Sequence, residues 1–274
     1  NGAPALLSFV DLLFVDPDVM KNAPTAAALV IGNEILSGKI RDANVPHLAR
    51  ELFSLGITLR RVIVCPDEVE TIVDDLDALR RHHHWVFTSG GVGPTHDDVT
   101  IRSVARAFAV PIVRAPELEA LLRDHFGSRL TDHHLRMAEV PEGAEMVAGS
   151  GARWPVMRMD NVFVLPGVPQ IFRRKLAVIR EYLDSGVSFV SRTVHTTSEE
   201  GDIASLLHDV VDAFPEVAVG SYPRWDDNGR YTLTITFDGR FPERVEQAVA
   251  KVRAALPADR LIEPPDTAAT AEDE

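Results

Sequence analysis

Segments typical of buried strands alternate with segments typical of amphipathic helices along most of this 274-residue chain. Short apolar runs such as AALVIG, VIVC and WVFTSG have the length of buried strands. Between them, apolar residues recur at helical spacing, for example Val69, Ile72, Val73, Leu76 and Leu79. This alternation predicts an α/β fold in which helices cover both faces of a parallel sheet.

The pattern changes near residue 185, which predicts a second domain. A strand and a helix are followed by two strand-like runs on either side of the turn DDNG, and then by another helix. This order predicts a small α+β domain. We expect an N-terminal extension (1–24), the α/β domain (25–185), the small domain (186–258) and a disordered acidic tail (259–274).

Composition excludes several classes of partner. The net charge of −13 argues against nucleic acid and against anionic membranes, because both are bound by clustered Lys and Arg. No apolar stretch approaches the roughly 20 residues that cross a bilayer. The single cysteine, Cys65, has no partner for an internal disulfide, so we expect a buried thiol and a cytoplasmic protein.

The stretch TSGGVGPTHDD, which begins at Thr88, follows an apolar run and precedes a helical segment. In doubly wound sheets, ligands bind where a strand passes into a helix. Glycines let the backbone approach a ligand closely, and free N–H groups at the start of a helix favour a phosphate. The predicted phosphate-binding residues are Thr88, Ser89, Gly90, Gly91, Gly93 and Thr95.

Two adjacent carboxylates, Asp97 and Asp98, end this stretch. They would repel a phosphate unless they hold a cation or accept hydrogen bonds from the ligand. A divalent metal ion such as Mg²⁺, Mn²⁺ or Co²⁺ between carboxylate and phosphate is therefore expected. In the alternative without a ligand, Thr95 or Asp98 only caps the following helix.

Further motifs identify a family. TSGGVGPTHDDVT, GNEILSGKIRDAN, MAEVPEGAEMV and NVFVLPGVP resemble segments of the molybdopterin-binding (MoaB/Mog-type) domain family, in the form found in CinA, competence/damage-inducible protein A. In the small domain, GSYPRW and YTLTITFDG are similar to the molybdopterin-binding-like domain of FAD synthases. The resemblance covers about residues 26 to 258.

The resemblance implies a three-layer α/β/α sandwich with a mostly parallel sheet and a site shared by several loops. It places Glu34, Asp42 and Asn44 across from the glycine-rich stretch. Asp98 matches the usual last aspartate of that stretch, whereas Asp97 matches a second acid that Mog-type proteins generally lack. The pocket wall is expected to contain Pro166, Gly167 and Pro169.

The resemblance also implies an activity. In CinA proteins and FAD synthases this domain is associated with metal-dependent hydrolysis of nucleotide pyrophosphates such as ADP-ribose and FAD. We expect that activity here, without the deamidase domain of CinA or the adenylyl-transferring domain of FAD synthases. The alternatives are a non-catalytic binder of a molybdopterin-like pterin phosphate and a protein of molybdenum-cofactor synthesis. Related proteins assemble through this domain, so a homo-oligomer is expected.

Catalytic roles follow from the pyrophosphatase hypothesis. Asp97 and Asp98 are expected to hold the metal together with Glu34, and Lys39 to stabilise charge on the phosphoryl oxygens. A solvated surface residue is the alternative for Lys39. His96 is either an acid or base between loop and metal, or a helix-start residue without a role.

Other residues are weaker candidates. Trp154 is placed to stack on a flat ring such as adenine, pterin or flavin, or else packs as an ordinary aromatic residue. Arg136 either grips a phosphate or forms a surface ion pair. Three consecutive histidines at 82–84 point in different directions on a helix, so we expect them to be solvated and not to chelate a metal together.

Overall fold

The computed structural model describes residues 23–183, 188–226 and 229–262. Most of the predicted N-terminal extension, part of the turn at 227–228 and the chain after residue 262 lie outside these ranges. The described residues form two compact units, Ala23–Ser188 and a second unit that starts at Phe189. None of the described helices has the length and apolar character that crossing a membrane requires.

The first unit contains alternating strands and helices within its described residues. The strands are β1 (Thr25–Ile31), β2 (Thr58–Cys65), β3 (Trp85–Ser89), β4 (Ile112–Arg114), β5 (Glu139–Pro141), β6 (Glu145–Val147), β7 (Val156–Met159) and β8 (Val162–Leu165). The α-helices are α1 (Asn33–Leu36), α2 (Asn44–Ser54), α3 (Val69–Arg80), α4 (Thr100–Ala107), α5 (Pro116–Phe126), α6 (Asp132–Leu135) and α7 (Pro169–Tyr182).

Six of these strands form one sheet in the order β2-β1-β3-β8-β7-β6. The strands β2, β1, β3 and β8 run parallel, whereas β7 and β6 extend one edge in antiparallel orientation. The predicted α/β class with a mostly parallel sheet is confirmed. Because the parallel strands end at the same edge, the loops that follow β1, β3 and β8 meet there.

The alternation of side chains along β1 divides the core into two halves, because successive residues point to opposite faces of a sheet. Ala27, Leu29 and Ile31 join a cluster with residues of α3 and α4. Ala26 and Ala28 join a second cluster with residues of α2 and α7. All five side chains are at most 2% exposed. Helices therefore cover both faces of the sheet, as in the expected sandwich.

Two parts of the first unit differ from the sequence-based prediction. The composition of TDHHLRMAEV is typical of a helix, but α6 ends at Leu135 and a 3₁₀ helix, Arg136–Ala138, leads into β5. Pairing of β5 with β4 satisfies backbone groups of both strands and overrides the helical pattern. The hairpin of β6 and β7 is missed because its strands have only three and four residues.

The second unit is a small α+β domain, as predicted. Its elements are β9 (Val190–Thr196), α8 (Glu200–Ala213), β10 (Val217–Trp225), β11 (Tyr231–Gly239), α9 (Pro242–Ala255) and β12 (Leu261–Ile262). The antiparallel sheet has the order β10-β11-β9-β12. Leu233, Ile235 and Phe237 of β11 are 0% exposed and pack with residues of α8 and α9.

The predicted tail starts too early at residue 259. Leu261 and Ile262 form β12 and pair with β9, and Leu261 packs against the core of the second unit. The strand has only two apolar residues beside a proline-rich stretch, and so short a pattern does not predict a strand from the sequence.

We predict that Phe163→Ala lowers the free energy of unfolding of the first unit by about 3–5 kcal/mol, since it leaves a cavity between sheet and helices. Phe163 is 0% exposed and stacks on Phe87 with ring centroids 5.5 Å apart. Ile40→Ala removes a side chain that is 57% exposed and should cost about 0.5 kcal/mol or less. Urea denaturation measures both variants, and equal losses would contradict the packing described here.

Candidate functional site

The segment between β3 and α4, residues 90–99, is here called the glycine loop. Gly90 has φ 109° and Gly91 has φ 64°, values that favour glycine. A Cβ at Gly90 would overlap the carbonyl oxygen of Ile31, and a Cβ at Gly91 would overlap the Thr100 hydroxyl. The surrounding chain alone therefore requires glycine at both positions.

Three consecutive backbone N–H groups of the glycine loop, at Gly91, Val92 and Gly93, have no hydrogen-bond partner among the described residues. The carbonyls beside them are bonded, since Thr100 donates its hydroxyl to the Gly90 carbonyl at 2.8 Å and its N–H to the Gly91 carbonyl at 3.0 Å. All three residues line one cleft. Adjacent backbone donors without a partner in the wall of a cleft are suited to bind an anion.

Asn44, the first residue of α2, connects the end of β3 to the loop that follows β8. Its Nδ2 donates to the Ser89 hydroxyl at 2.9 Å and to the Gly167 carbonyl at 2.8 Å. The side chain is 3% exposed. A Cβ at Gly167 would lie 3.4 Å from the Cα of Gly90, so these two loops are in contact. Asn44 therefore holds the site together from inside the protein.

Several other expected ligand-binding residues also serve the fold. Asp42 accepts hydrogen bonds from backbone N–H groups at the start of α2, the shorter at 2.9 Å. Thr88 is 0% exposed, and its hydroxyl accepts an N–H from β8 at 3.4 Å. Pro169 is the first residue of α7. These three residues, together with Ser89 and Thr95, lie outside the lining of the cleft.

Glu34 and Asp98 are the two expected acids that line the cleft. Asp98 accepts hydrogen bonds from the Thr95 N–H at 2.8 Å and from the Thr95 hydroxyl, so it orders the glycine loop. Neither residue caps α4, which begins without a side-chain cap, so the capping alternative is wrong. The Asp97 side chain is 64% exposed and lies outside the lining. Hydrogen bonds from the Thr95 side chain and from its own backbone amide lower the pKa of the Asp97 carboxyl.

No group of three or more His, Cys, Asp or Glu side chains that could hold a metal ion occurs in the described part of the chain. The Nδ1 atoms of His82 and His83 face backbone carbonyls one turn earlier at 2.8 and 2.9 Å. His96 is 97% exposed, and Lys39 is exposed and lies outside the cleft lining. The described residues therefore supply individual carboxylates at the cleft and no closed metal cage.

The cleft has a volume of about 1240 Å³ and lies wholly within the first unit. It is bordered by the glycine loop, the turn after β8, helices α4, α5 and α7, and the segment 150–155. Its charged lining residues are the cations Arg102, Arg136, Arg153, Arg174 and Lys175 and the carboxylates Glu34, Asp98, Glu139 and Glu181. Five cations against four carboxylates make this cleft far more favourable to anions than a chain of net charge −13 is overall.

Much of the remaining lining is apolar, which suits a flat ring. Trp154 lines the cleft, and its ring meets that of His125 edge-on with centroids 5.7 Å apart. Arg136 also lines the cleft and donates to the Pro94 carbonyl of the glycine loop at 3.4 Å. Apolar clefts with a few polar groups are typical sites for small molecules.

The sequence reasoning missed Lys175, a half-buried residue of α7 that lines the cleft. Its Nζ donates to the Pro155 carbonyl at 2.5 Å. Burial lowers the pKa of this ammonium to about 8. The signal in the sequence is its position beside the apolar stripe of α7, where Ile171 and Val178 lie one turn away on either side.

We predict that Gly90→Ala destabilises the first unit by about 3 kcal/mol or more, because the new methyl group overlaps a backbone atom that cannot move away. Gly38→Ala is the matched control: φ is also positive, at 70°, but nothing lies within 4 Å of the new Cβ. It should cost only the backbone strain of about 1–2 kcal/mol. Thermal or urea denaturation compares the variants, and a cost at Gly90 no larger than at Gly38 would contradict the close contact.

Proteins of known name and structure resemble this chain. A protein of Archaeoglobus fulgidus is 32% identical over 229 residues, which is 82% of this chain and 95% of that protein. A probable FAD synthase of Caenorhabditis elegans is 30% identical over 86% of this chain, and the chain spans about half of it, 51%. The crystal structure of CinA from Thermoplasma acidophilum, a protein of unknown function, is 26% identical with a TM-score of 0.54 over 59% of this chain and 99% of that one.

Two family models match consecutive parts of the chain. Residues 27–184 match the family described as probable molybdopterin binding domain, and residues 188–265 match the FAD synthase middle domain. These ranges follow the division into two units, and they confirm the resemblance seen in the motifs. The chain belongs to the molybdopterin-binding domain family, in the form that continues into an FAD synthase middle domain.

Proposed function

We propose that the cleft binds the diphosphate of a nucleotide, and that the protein is a metal-dependent hydrolase of nucleotide pyrophosphates of the ADP-ribose or FAD class. The observation that carries the proposal is the row of unpaired N–H groups at Gly91, Val92 and Gly93 at one end of a cation-rich cleft. Backbone donors of this kind bind phosphate oxygens without regard to the rest of the ligand. Relatives named FAD synthase, whose product contains a pyrophosphate, support a nucleotide ligand.

The proposed reaction is a simple hydrolysis. A water oxygen forms a bond to one phosphorus atom while the bond from that phosphorus to the bridging oxygen breaks, which gives AMP and a second phosphomonoester. The N–H groups of the glycine loop hold the phosphoryl oxygens in place, and Arg102 and Arg174 add positive charge along the cleft. Trp154 supplies an apolar surface for a flat ring at a distance from the phosphates.

The carboxylates of the cleft suit a divalent metal that is held partly by the protein and partly by the substrate. Mg²⁺ is usually held by one or two carboxylates together with substrate phosphates. Glu34 and Asp98 line the cleft, and one oxygen of Asp98 has no partner among the described residues. Those two residues would hold the ion, with the exposed Asp97 as the predicted additional ligand. When bound, the metal would offset diphosphate charge and activate water.

A second candidate is binding without turnover, in which the ligand is a molybdopterin-like pterin phosphate. The match of residues 27–184 to the molybdopterin-binding family favours it. The lack of a three-ligand metal cluster in the described residues is consistent with it as well. The glycine loop would bind the phosphate in the same way in both cases. The two candidates therefore differ in whether the ligand is hydrolysed and in which ring the ligand carries.

The test is release of AMP from ADP-ribose, FAD or NAD by the purified protein with Mg²⁺, Mn²⁺ or Co²⁺. We predict that AMP is released from ADP-ribose or FAD only with metal, and that Asp98→Asn lowers the rate by about 100-fold or more. Asp74→Asn is the control, because this exposed aspartate of α3 lies outside the cleft. No AMP with any of the metals, together with tight binding of a pterin phosphate, would replace hydrolysis with the second candidate.

A further inference from the structure

One side of α7 forms part of the cleft wall. Its cleft-lining residues follow helical spacing along that side and comprise Ile171, Arg174, Lys175, Ala177, Val178 and Glu181. The opposite side packs on the sheet through Phe172, Leu176 and Ile179, which are at most 2% exposed. Lys175 lies at the border of these two sides, so its cation is placed among apolar residues.

The ammonium of Lys175 is poorly compensated. It has three N–H donors, and its one hydrogen bond to a described residue goes to the Pro155 carbonyl at 2.5 Å. No carboxylate among the described residues lies within 4 Å of it. A charge removed from water without an ionic partner is costly, and burial accordingly lowers the pKa of Lys175 to about 8. An anionic ligand in the cleft would supply the missing charge.

We infer that Lys175 is a ligand-binding residue whose ammonium pairs with an anionic oxygen of the diphosphate held at the glycine loop. The inference rests on the proposed function for the identity of the anion. It assigns to Lys175 the part that the sequence had suggested for Lys39, which is exposed and lies outside the cleft lining.

The position of Lys175 along α7 supports this pairing. The helix begins at Pro169, two residues after Gly167, which contacts Gly90 of the glycine loop. Lys175 is six residues further, about 9 Å along the helix axis. Helical side chains lean toward the N-terminus, which is the end of α7 nearer the glycine loop. The ammonium lies at the Pro155 carbonyl, in the same cleft as Gly91, Val92 and Gly93. A ligand that occupies this cleft thus meets both the ammonium and these N–H groups.

The interaction should be stronger than that of the exposed arginines in the cleft. Arg102 and Arg174 are exposed, and their charges are screened by water. The ammonium of Lys175 is largely removed from water, and a charge pair is stronger where the effective dielectric constant is low. Its removal should therefore affect binding of the diphosphate more than removal of an exposed arginine does.

Binding that requires the charged ammonium depends on pH. The amine is mostly protonated at pH 7 and mostly neutral at pH 9, so a ligand that binds only the charged form takes up a proton and binds about tenfold more weakly at pH 9. The other ionisable groups that line the cleft are Glu34, Asp98, Arg102, His125, Arg136, Glu139, Arg153, Arg174 and Glu181. Carboxyl and guanidinium groups ordinarily titrate well outside pH 7–9, and the Lys175 variants distinguish the lysine from His125.

The experiment measures the affinity of the α,β-methylene analogue of ADP-ribose with Mg²⁺ at pH 7, 8 and 9. This analogue resists hydrolysis, and its phosphate charge is constant over this range. We predict that wild-type affinity falls about tenfold from pH 7 to pH 9. Lys175→Met should bind at least tenfold more weakly at pH 7 and show no fall, whereas Lys175→Arg should bind without a fall because its charge is permanent. Arg173→Met, at an exposed residue outside the lining, should behave as wild type.

The outcomes separate this inference from the proposed function. If the analogue shows the lysine-dependent pH profile but AMP is never released from ADP-ribose, hydrolysis is wrong and the binding role of Lys175 stands. If AMP is released but affinity is the same at all three pH values and in Lys175→Met, the inference is wrong. Absence of any binding by the wild type also overturns it. Should Lys175→Met fail to fold, the profiles of wild type and Lys175→Arg still decide.

Discussion

The site depends on the close contact between the backbones of three loops at the carboxyl edge of the parallel sheet. Gly90 packs against the carbonyl oxygen of Ile31, which leaves no room for a Cβ at residue 90, and Gly167 lies beside the Gly90 backbone. The buried amide of Asn44 fastens the end of β3 to the loop after β8. Because the carbonyls of Gly90 and Gly91 are bonded to Thr100, the N–H groups that follow remain free in the wall of the cleft. The binding surface therefore results from the packing of these loops at the carboxyl edge of the sheet.

Charge is distributed unevenly in this protein, and the distribution matters for its ligand. The chain is strongly acidic, yet the cleft brings together five cations and four carboxylates. Four of these cations are arginines, whereas the one lysine is partly removed from water by the fold. Such a cleft attracts an anion although the protein as a whole is acidic. This agrees with a small phosphorylated ligand and with the family to which the chain belongs.

The sequence predicted the parallel sheet, the small domain and the glycine loop because each rests on a local pattern of apolar residues, turns or glycines. Individual site residues were less predictable. Asp42, Thr88 and Asn44 have the chemistry of ligand-binding groups, but their hydrogen bonds close the fold. A polar side chain that follows a strand can face the ligand or the interior of the protein, and the packing of the loops determines which of the two it faces. Whether Asp97, Lys39 or His96 acts in the site stays a prediction, since the structure places all three in solvent.

A crystal structure with the α,β-methylene analogue of ADP-ribose would show whether the N–H groups of Gly91, Val92 and Gly93 bind the diphosphate. We expect phosphate oxygens at hydrogen-bond distance, about 2.7–3.2 Å, from these backbone nitrogens. A diphosphate bound elsewhere in the cleft, with these nitrogens facing water or their own chain, would contradict this expectation.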